Sequence, residues 1–337
     1  MRIWQASILR ENWMLKAFVF IAAITVGTSA GYFYSIGLKS HSPVVSSSKN
    51  VSTTVVRSDD EARYSIKQTV SKLREIKTGD MNPDIPVAAK PLLTLLKHQL
   101  RDLLSDTINA RSNPQQNPQR LRANIINKLK SDGIIVEEPE EPTDDGDYVE
   151  AEYVYGDIYN IVIERPAKHT DLLVATTTLG VCCGTDTSFY IFKNNGGRWE
   201  MALAQEANDY DEISEAHGRF QYAISPPDNS NNFFAVTANV NPWCSSNWQQ
   251  LRYAALRLSG NAYQPKVIAQ GEDTIFLDEE PSYKLAVKRD RFSLDFDGDS
   301  SDADISNGDI TLRHIVTYKV GDLKATRFEK TLKPRND

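Results

Sequence analysis

The chain has 337 residues, of which 40% are hydrophobic and 25% charged, and its formal net charge is −7. These are the proportions of an ordinary globular protein long enough for two domains. An acidic balance without a basic stripe argues against nucleic acid as a partner, because phosphate binding needs a cationic surface. With one long apolar run, the chain is no multi-span channel or transporter.

That run sets the expected compartment. From Ala17 to Leu38 there is no charge. About 22 residues at 1.5 Å rise span roughly 33 Å, enough to cross a hydrocarbon core of about 30 Å. Arg2, Arg10 and Lys16 precede it against a single Glu11. The positive flank places residues 1–16 in the cytoplasm and everything after the span outside it. Trp13, Tyr32 and Tyr34 stand at its ends as interfacial anchors. A cleavable signal would use Phe18 to Val26 as its apolar core and Thr28-Ser29-Ala30 as its cleavage site. The apolar character continues past that point, which favours an uncleaved anchor; both readings imply export.

Residues 39–58 are rich in Ser, Thr and Val and read as a solvated stalk. Helical periodicity then governs 59–133. Tyr64, Ile66, Val70, Leu73 and Ile76 mark a first helix. A second has Pro91 in its first turn and Leu92, Leu96, Leu100, Leu103 and Leu104 on its apolar face. A third runs from Pro118 to Ser131 and stops at Gly133. Residues 134–147 form an acidic linker, with seven carboxylates between Glu137 and Asp147.

From 148 to 337 the period becomes two. Strands are expected at Val149–Tyr155, Ile158–Glu164, Leu172–Thr178, Thr187–Lys193, Arg198–Leu203, Phe233–Val240, Leu251–Leu258, Tyr283–Val287, Phe292–Phe296 and Ile310–Val320. Asn194-Asn195-Gly196-Gly197 between two of them tolerates positive φ and predicts a hairpin. Short strands without intervening helices imply a mainly β domain: an antiparallel sandwich or open barrel, preceded by a transmembrane helix and a small helical region.

Few residues stand out as chemistry. The three cysteines are Cys182, Cys183 and Cys244. Zinc-ligand spacing is absent, so in an oxidising compartment a Cys183–Cys244 disulfide is expected, with Gly184 helping the backbone turn; a vicinal Cys182–Cys183 bridge is the competing arrangement. Trp243 and Trp248 flank Cys244 and suit either a core plug or a glycan- or peptide-binding platform. Asp295, Asp297, Asp299 and Asp304 stand on a stretch expected to form a hairpin tip, where carboxylates converge on Ca²⁺ or simply stay solvated. The stretch resembles the Asp-x-Asp-Gly-Asp loops of EF-hands and integrin-type propeller repeats. It departs from the EF-hand at Ser300, where that loop has Gly, and at Ser306, where it has the bidentate Glu; it is one residue too long for the propeller loop.

No nucleophile elbow, zinc-protease pair or phosphate loop is present. The leading expectation is therefore an anchored envelope protein that binds or scaffolds, with an envelope protein or glycan as partner. An anchored hydrolase of envelope polymers, using His169, Asp186, Ser188 and His217, is the alternative.

Overall fold

The computed structural model describes residues 65–76, 85–110, 117–135, 155–181, 184–207, 210, 215–242, 248–258, 265–277, 283–299, 311–321 and 324–332. All of them belong to one compact unit, Ser46–Asp337. The expected anchor and stalk, residues 136–147 of the acidic linker, the strand over 149–154, all three cysteines, Trp243 and Asp304 lie outside the described residues. Among the described residues, no helix is long and apolar enough to cross a membrane.

The described chain is mainly β and antiparallel, with helices α1 (Ile66–Arg74), α2 (Ala89–Asn109) and α3 (Pro118–Ser131) leading in. Local signals start α1 and bound α3, whereas α2 has no side-chain cap at its start. Ser65 and Gln68 form a reciprocal capping box at the start of α1. Asn117 caps α3 through its side chain, with Pro118 in the first turn. Gly133, at φ 69°, closes α3, and the N–H of Ile134 returns to the Leu129 carbonyl at 2.9 Å.

The helices cover a four-stranded meander, β1 (Ile158–Glu164), β2 (Leu172–Val181), β3 (Gly184–Asn195) and β4 (Arg198–Gln205), in that spatial order. Leu73 of α1 packs on Gly156 so closely that a Cβ there would lie 2.6 Å from its Cδ1. Arg74 ties α1 to Asp157 at 2.9 Å and to the Ile134 carbonyl at 2.9 Å. On α3, Arg122 donates to the Ile161 carbonyl of β1 at 2.6 Å. The β3–β4 hairpin turns at Gly196 and Gly197, both at positive φ, with Asn195 opposite Arg198.

The second sheet comprises β5 (Gln221–Ile224), β6 (Phe233–Val240), β7 (Trp248–Leu258), β8 (Lys266–Phe276), β9 (Tyr283–Lys288), β10 (Arg291–Asp299), β11 (Thr311–Val320) and β12 (Ala325–Leu332). Its order is β12-β11-β10-β8-β7-β6-β5, and β9 pairs with β10 on the edge that β8 meets only at Gly298. β9 in turn reaches β5, because the Gln221 side-chain amide donates to the Tyr283 carbonyl at 3.0 Å and its oxygen accepts from the Leu285 N–H. The sheet therefore curls until β9 approaches β5, while β12 stays at the outer end. Phe234, Val236, Leu251, Tyr253, Phe292, Leu294 and Tyr318 fill the concave side.

β6 joins the two sheets and is buried along its whole length. Phe234, Val236, Ala238 and Val240 face the curled interior. The alternate residues face the meander: Phe233 meets the His169 ring at 4.8 Å, and Thr237 donates to the Gln205 side chain at 2.9 Å. A strand buried on both faces needs a continuous apolar run rather than alternation, and Phe233-Phe234-Ala235-Val236 supplies it.

Three strands fall where none was expected: β5, β8 and β12. Residues 295–299 are not a hairpin tip but the last part of strand β10, paired with β11 from Asp295↔Ile315 to Asp299↔Thr311. The alternation of Asp with Phe296 and Gly298 has strand period, and the pairing strand decides it.

Candidate functional site

The densest group of ionisable side chains lies between α2, β3 and the chain after β4. On β3, Asp186, Ser188, Tyr190 and Phe192 alternate onto the face the helices cover. On α2, Lys97 and Arg101 are one turn apart and reach that face together. Lys97 is 1% exposed and Asp186 is fully buried. Their charged ends meet at 3.1 Å.

Every remaining direction around this pair is filled. Lys97 also donates to the Ala207 carbonyl, and its Nζ sits 4.2 Å from the centre of the Tyr210 ring. The Tyr210 hydroxyl donates to Asp186 Oδ2, and the backbone N–H of His217 donates to Asp186 Oδ1 at 2.8 Å. A second pair lies alongside. Arg101 meets Glu206 Oε2 at 3.0 Å, and the Tyr190 hydroxyl donates to Glu206 Oε1 at 2.7 Å. The two acids thus tie Lys97 and Arg101 of α2 to Tyr190, Tyr210 and His217.

The charges bias each group's titration. Burial pushes the Asp186 carboxyl up, but Lys97, His217 and the Tyr210 hydroxyl outweigh it, and the net shift is downward. Burial and then the Asp186 charge push Tyr210 well up, and burial and Glu206 do the same to Tyr190. Burial pulls His217 down, with Lys97 adding to it against the opposing Asp186. Burial thus opposes ionisation of both phenols and protonation of the His217 imidazole, while the neighbouring groups favour the ionised Asp186 carboxylate.

Of the residues expected to serve a hydrolase, Asp186 and Ser188 share one face of β3 and His217 bonds both Asp186 and Thr187 beside them, but both imidazoles turn to backbone carbonyls. His169 turns Nε2 to the Ser225 carbonyl at 2.8 Å, and His217 points Nδ1 at the Thr187 carbonyl at 3.2 Å. Ser188 is buried beside Tyr190, and neither imidazole contact leads to it. Asp186 belongs to Lys97. Among the described residues no hydrogen bond joins His169 or His217 to the Ser188 hydroxyl.

The remaining expectations fare unevenly. Trp248 opens β7, half-buried, with its ring edge-on to Phe276 at 5.0 Å. Asp295 receives two hydrogen bonds from Arg313, one of 2.7 Å, and so is already neutralised. Asp297 stands exposed on the same face of β10. Among the described residues no three His, Cys, Asp or Glu gather as a metal site.

The sequence reading missed Lys97, Arg101, Tyr190, Glu206 and Tyr210. One signal was available. Lys97 interrupts the stripe Leu93, Leu96, Leu100, Leu104, and a cation inside an apolar stripe needs a buried partner. Comparison with family models, with curated proteins and with solved structures finds no match.

Proposed function

We propose that this chain is a single-pass, membrane-anchored protein of a cell envelope whose extracytoplasmic β-rich domain binds or scaffolds rather than catalyses. The observation that carries its location is the uncharged segment Ala17–Leu38 behind a positive flank. Support for a role without catalysis comes from the buried cluster, whose acids and cations are spent on one another and on residues 206–217.

The same reading takes the domain as a sandwich of the four-stranded meander on a curled, open-barrel second sheet. Burial of β6 on both faces and the approach of β9 to β5 support it. A Cys183–Cys244 bridge fits an oxidising compartment. The described neighbours of the two cysteines come together, because a Cβ on Gly184 would stand 3.0 Å from Pro242 Cβ. The partner is an envelope protein or glycan, with Trp243 and Trp248 as its platform. Calcium at the acidic stretch would rely on Asp297, Asp299 and Asp304, since Asp295 is committed to Arg313.

Membrane fractionation tests the proposal. The chain should sediment with membranes, resist a high-salt wash and dissolve in detergent. A serine-directed covalent probe should leave Ser188 unlabelled. Recovery of a soluble chain beginning at Gly31, or labelling at Ser188 that its replacement by alanine removes, would contradict it.

A further inference from the structure

β12 is the last strand of its sheet, and among the described residues none pairs with its outer edge. It is exposed on both faces along most of its length, and Phe328 is 56% exposed. The ladder fixes which backbone groups point outward. The N–H of Gly321 donates to the Lys324 carbonyl at 3.0 Å, which makes Gly321–Lys324 a hydrogen-bonded pair. On the other side of β11, the N–H of Val320 donates to the Asp290 carbonyl at 2.8 Å, so even-numbered β11 residues turn toward β10. With the register Val320↔Ala325, Tyr318↔Arg327 and Val316↔Glu329, the outward N–H and C=O groups belong to Ala325, Arg327, Glu329 and Thr331.

Charges on an edge strand ordinarily discourage pairing. Here they are self-complementary in one register. We propose that β12 pairs antiparallel with β12 of a second copy of this chain, centred on Phe328, to continue the sheet across a two-fold axis. In that register Arg327 lies opposite Glu329 of the partner and Glu329 opposite its Arg327. Ala325 meets Thr331, and all four outward-facing residues form hydrogen-bonded pairs. Phe328 meets its own copy in the intervening non-hydrogen-bonded pair, where side chains stand closest.

The neighbouring registers with the same backbone polarity fail. A shift one way sets Arg327 against Arg327, and a shift the other way sets Glu329 against Glu329, like charges directly opposed. Arg327 already reaches Asp273 at 3.0 Å and Glu329 at 3.1 Å within its own chain. Its guanidinium is therefore held at the edge, and a second carboxylate extends an existing network. The inference uses only β12 and its ladder, and stands whether or not the chain is anchored.

The test uses the full-length chain in mild detergent, with association measured by sedimentation and each variant's melting temperature confirming that it folds. Wild type should be dimeric. Arg327→Glu and Glu329→Arg should each weaken the dimer roughly tenfold or more, because both cross-strand pairs become like-charged. The double exchange, Arg327→Glu with Glu329→Arg, should restore it. A one-to-one mixture of the two single variants should form a heterodimer, since each then supplies the charge the other lacks. Phe328→Cys should cross-link across the axis on oxidation and Thr331→Cys should not. A monomeric wild type, single variants as dimeric as wild type, or a mixture no more associated than its components would overturn the proposal.

Discussion

The helix-backed meander and the curled sheet are neighbours through β6, yet they are held together by different physics. Under α2, the interior contains two acids, two cations and two phenols, each satisfied by a named partner. Inside the curled sheet the interior is mainly apolar, with Phe292 stacked on Tyr318 at 4.7 Å, and its polar contacts are made by neutral tyrosine hydroxyls: Tyr253 with Tyr318 at 2.9 Å and Tyr283 with the Ala238 carbonyl at 2.7 Å. Apolar packing is tolerant, because any side chain of similar volume fills the space. A buried ion pair is intolerant, because removing one partner strands the other. The ionic contacts thereby fix how Glu206, Ala207 and Tyr210 meet α2, whereas the curled sheet supplies burial without ion pairs in its interior.

The sharpest way to break this contrast is to make a near-isosteric change on each side. Lys97→Met keeps volume but leaves Asp186 without its cation, and should cost about 3–5 kcal/mol. Adding Asp186→Asn, which removes the stranded charge and keeps one acceptor oxygen for the His217 N–H, should recover part of that loss. Chemical denaturation of the two variants checks both statements; equal losses would mean that the pair is not coupled.

Next in size is the proposed bridge, which would join the β2–β3 hairpin to the chain after β6 and so tie the two regions. Closing a loop of about sixty residues should contribute roughly 2–4 kcal/mol. Peptide mapping without reductant should find Cys183 linked to Cys244, and Cys183→Ser should lower stability by that amount. A vicinal Cys182–Cys183 link would contradict the assignment.

Phe292→Leu in the curled sheet should cost only about 1–2 kcal/mol, since a smaller apolar group still occupies the site. The same denaturation assay should place it well below Lys97→Met.

The mildest effect is that of acid. His217 has its pKa pulled below the ordinary 6.5, so the unfolded chain takes up that proton first and stability falls as pH drops below that value. Asp186 is lowered from 3.8, so its contribution disappears as pH falls through its folded value. Hydrogen exchange should show α2 and residues 206–217 losing protection on acidification before β6 and β7 do.

How far the sequence discloses this molecule follows the same division. Elements that bury one face or both were legible: α1 to α3 from their apolar spacing, β6 as one of the expected short strands, and the β3–β4 hairpin from Asn194-Asn195-Gly196-Gly197. β8 and β12 were not. Only Ile268 and Ile275 of Lys266–Phe276 are buried, and Gly271, beneath the Tyr253 ring, reads as a breaker. Ala325–Leu332 buries almost nothing. Without burial there is no hydrophobic period to read. The ionic cluster was hidden for another reason. Lys97 and Asp186 are far apart in sequence, and only the fold brings them together.

Both regions should share one fate in the cell, on the far side of Lys39–Ser58. The most direct measurement of that central claim is protease protection in intact cells with the outer barrier opened. Protease added from outside should digest the β-domain and leave a short N-terminal fragment carrying residues 1–16 and the Ala17–Leu38 segment. A chain fully protected until the cytoplasmic membrane is lysed would place the domain inside and contradict the account.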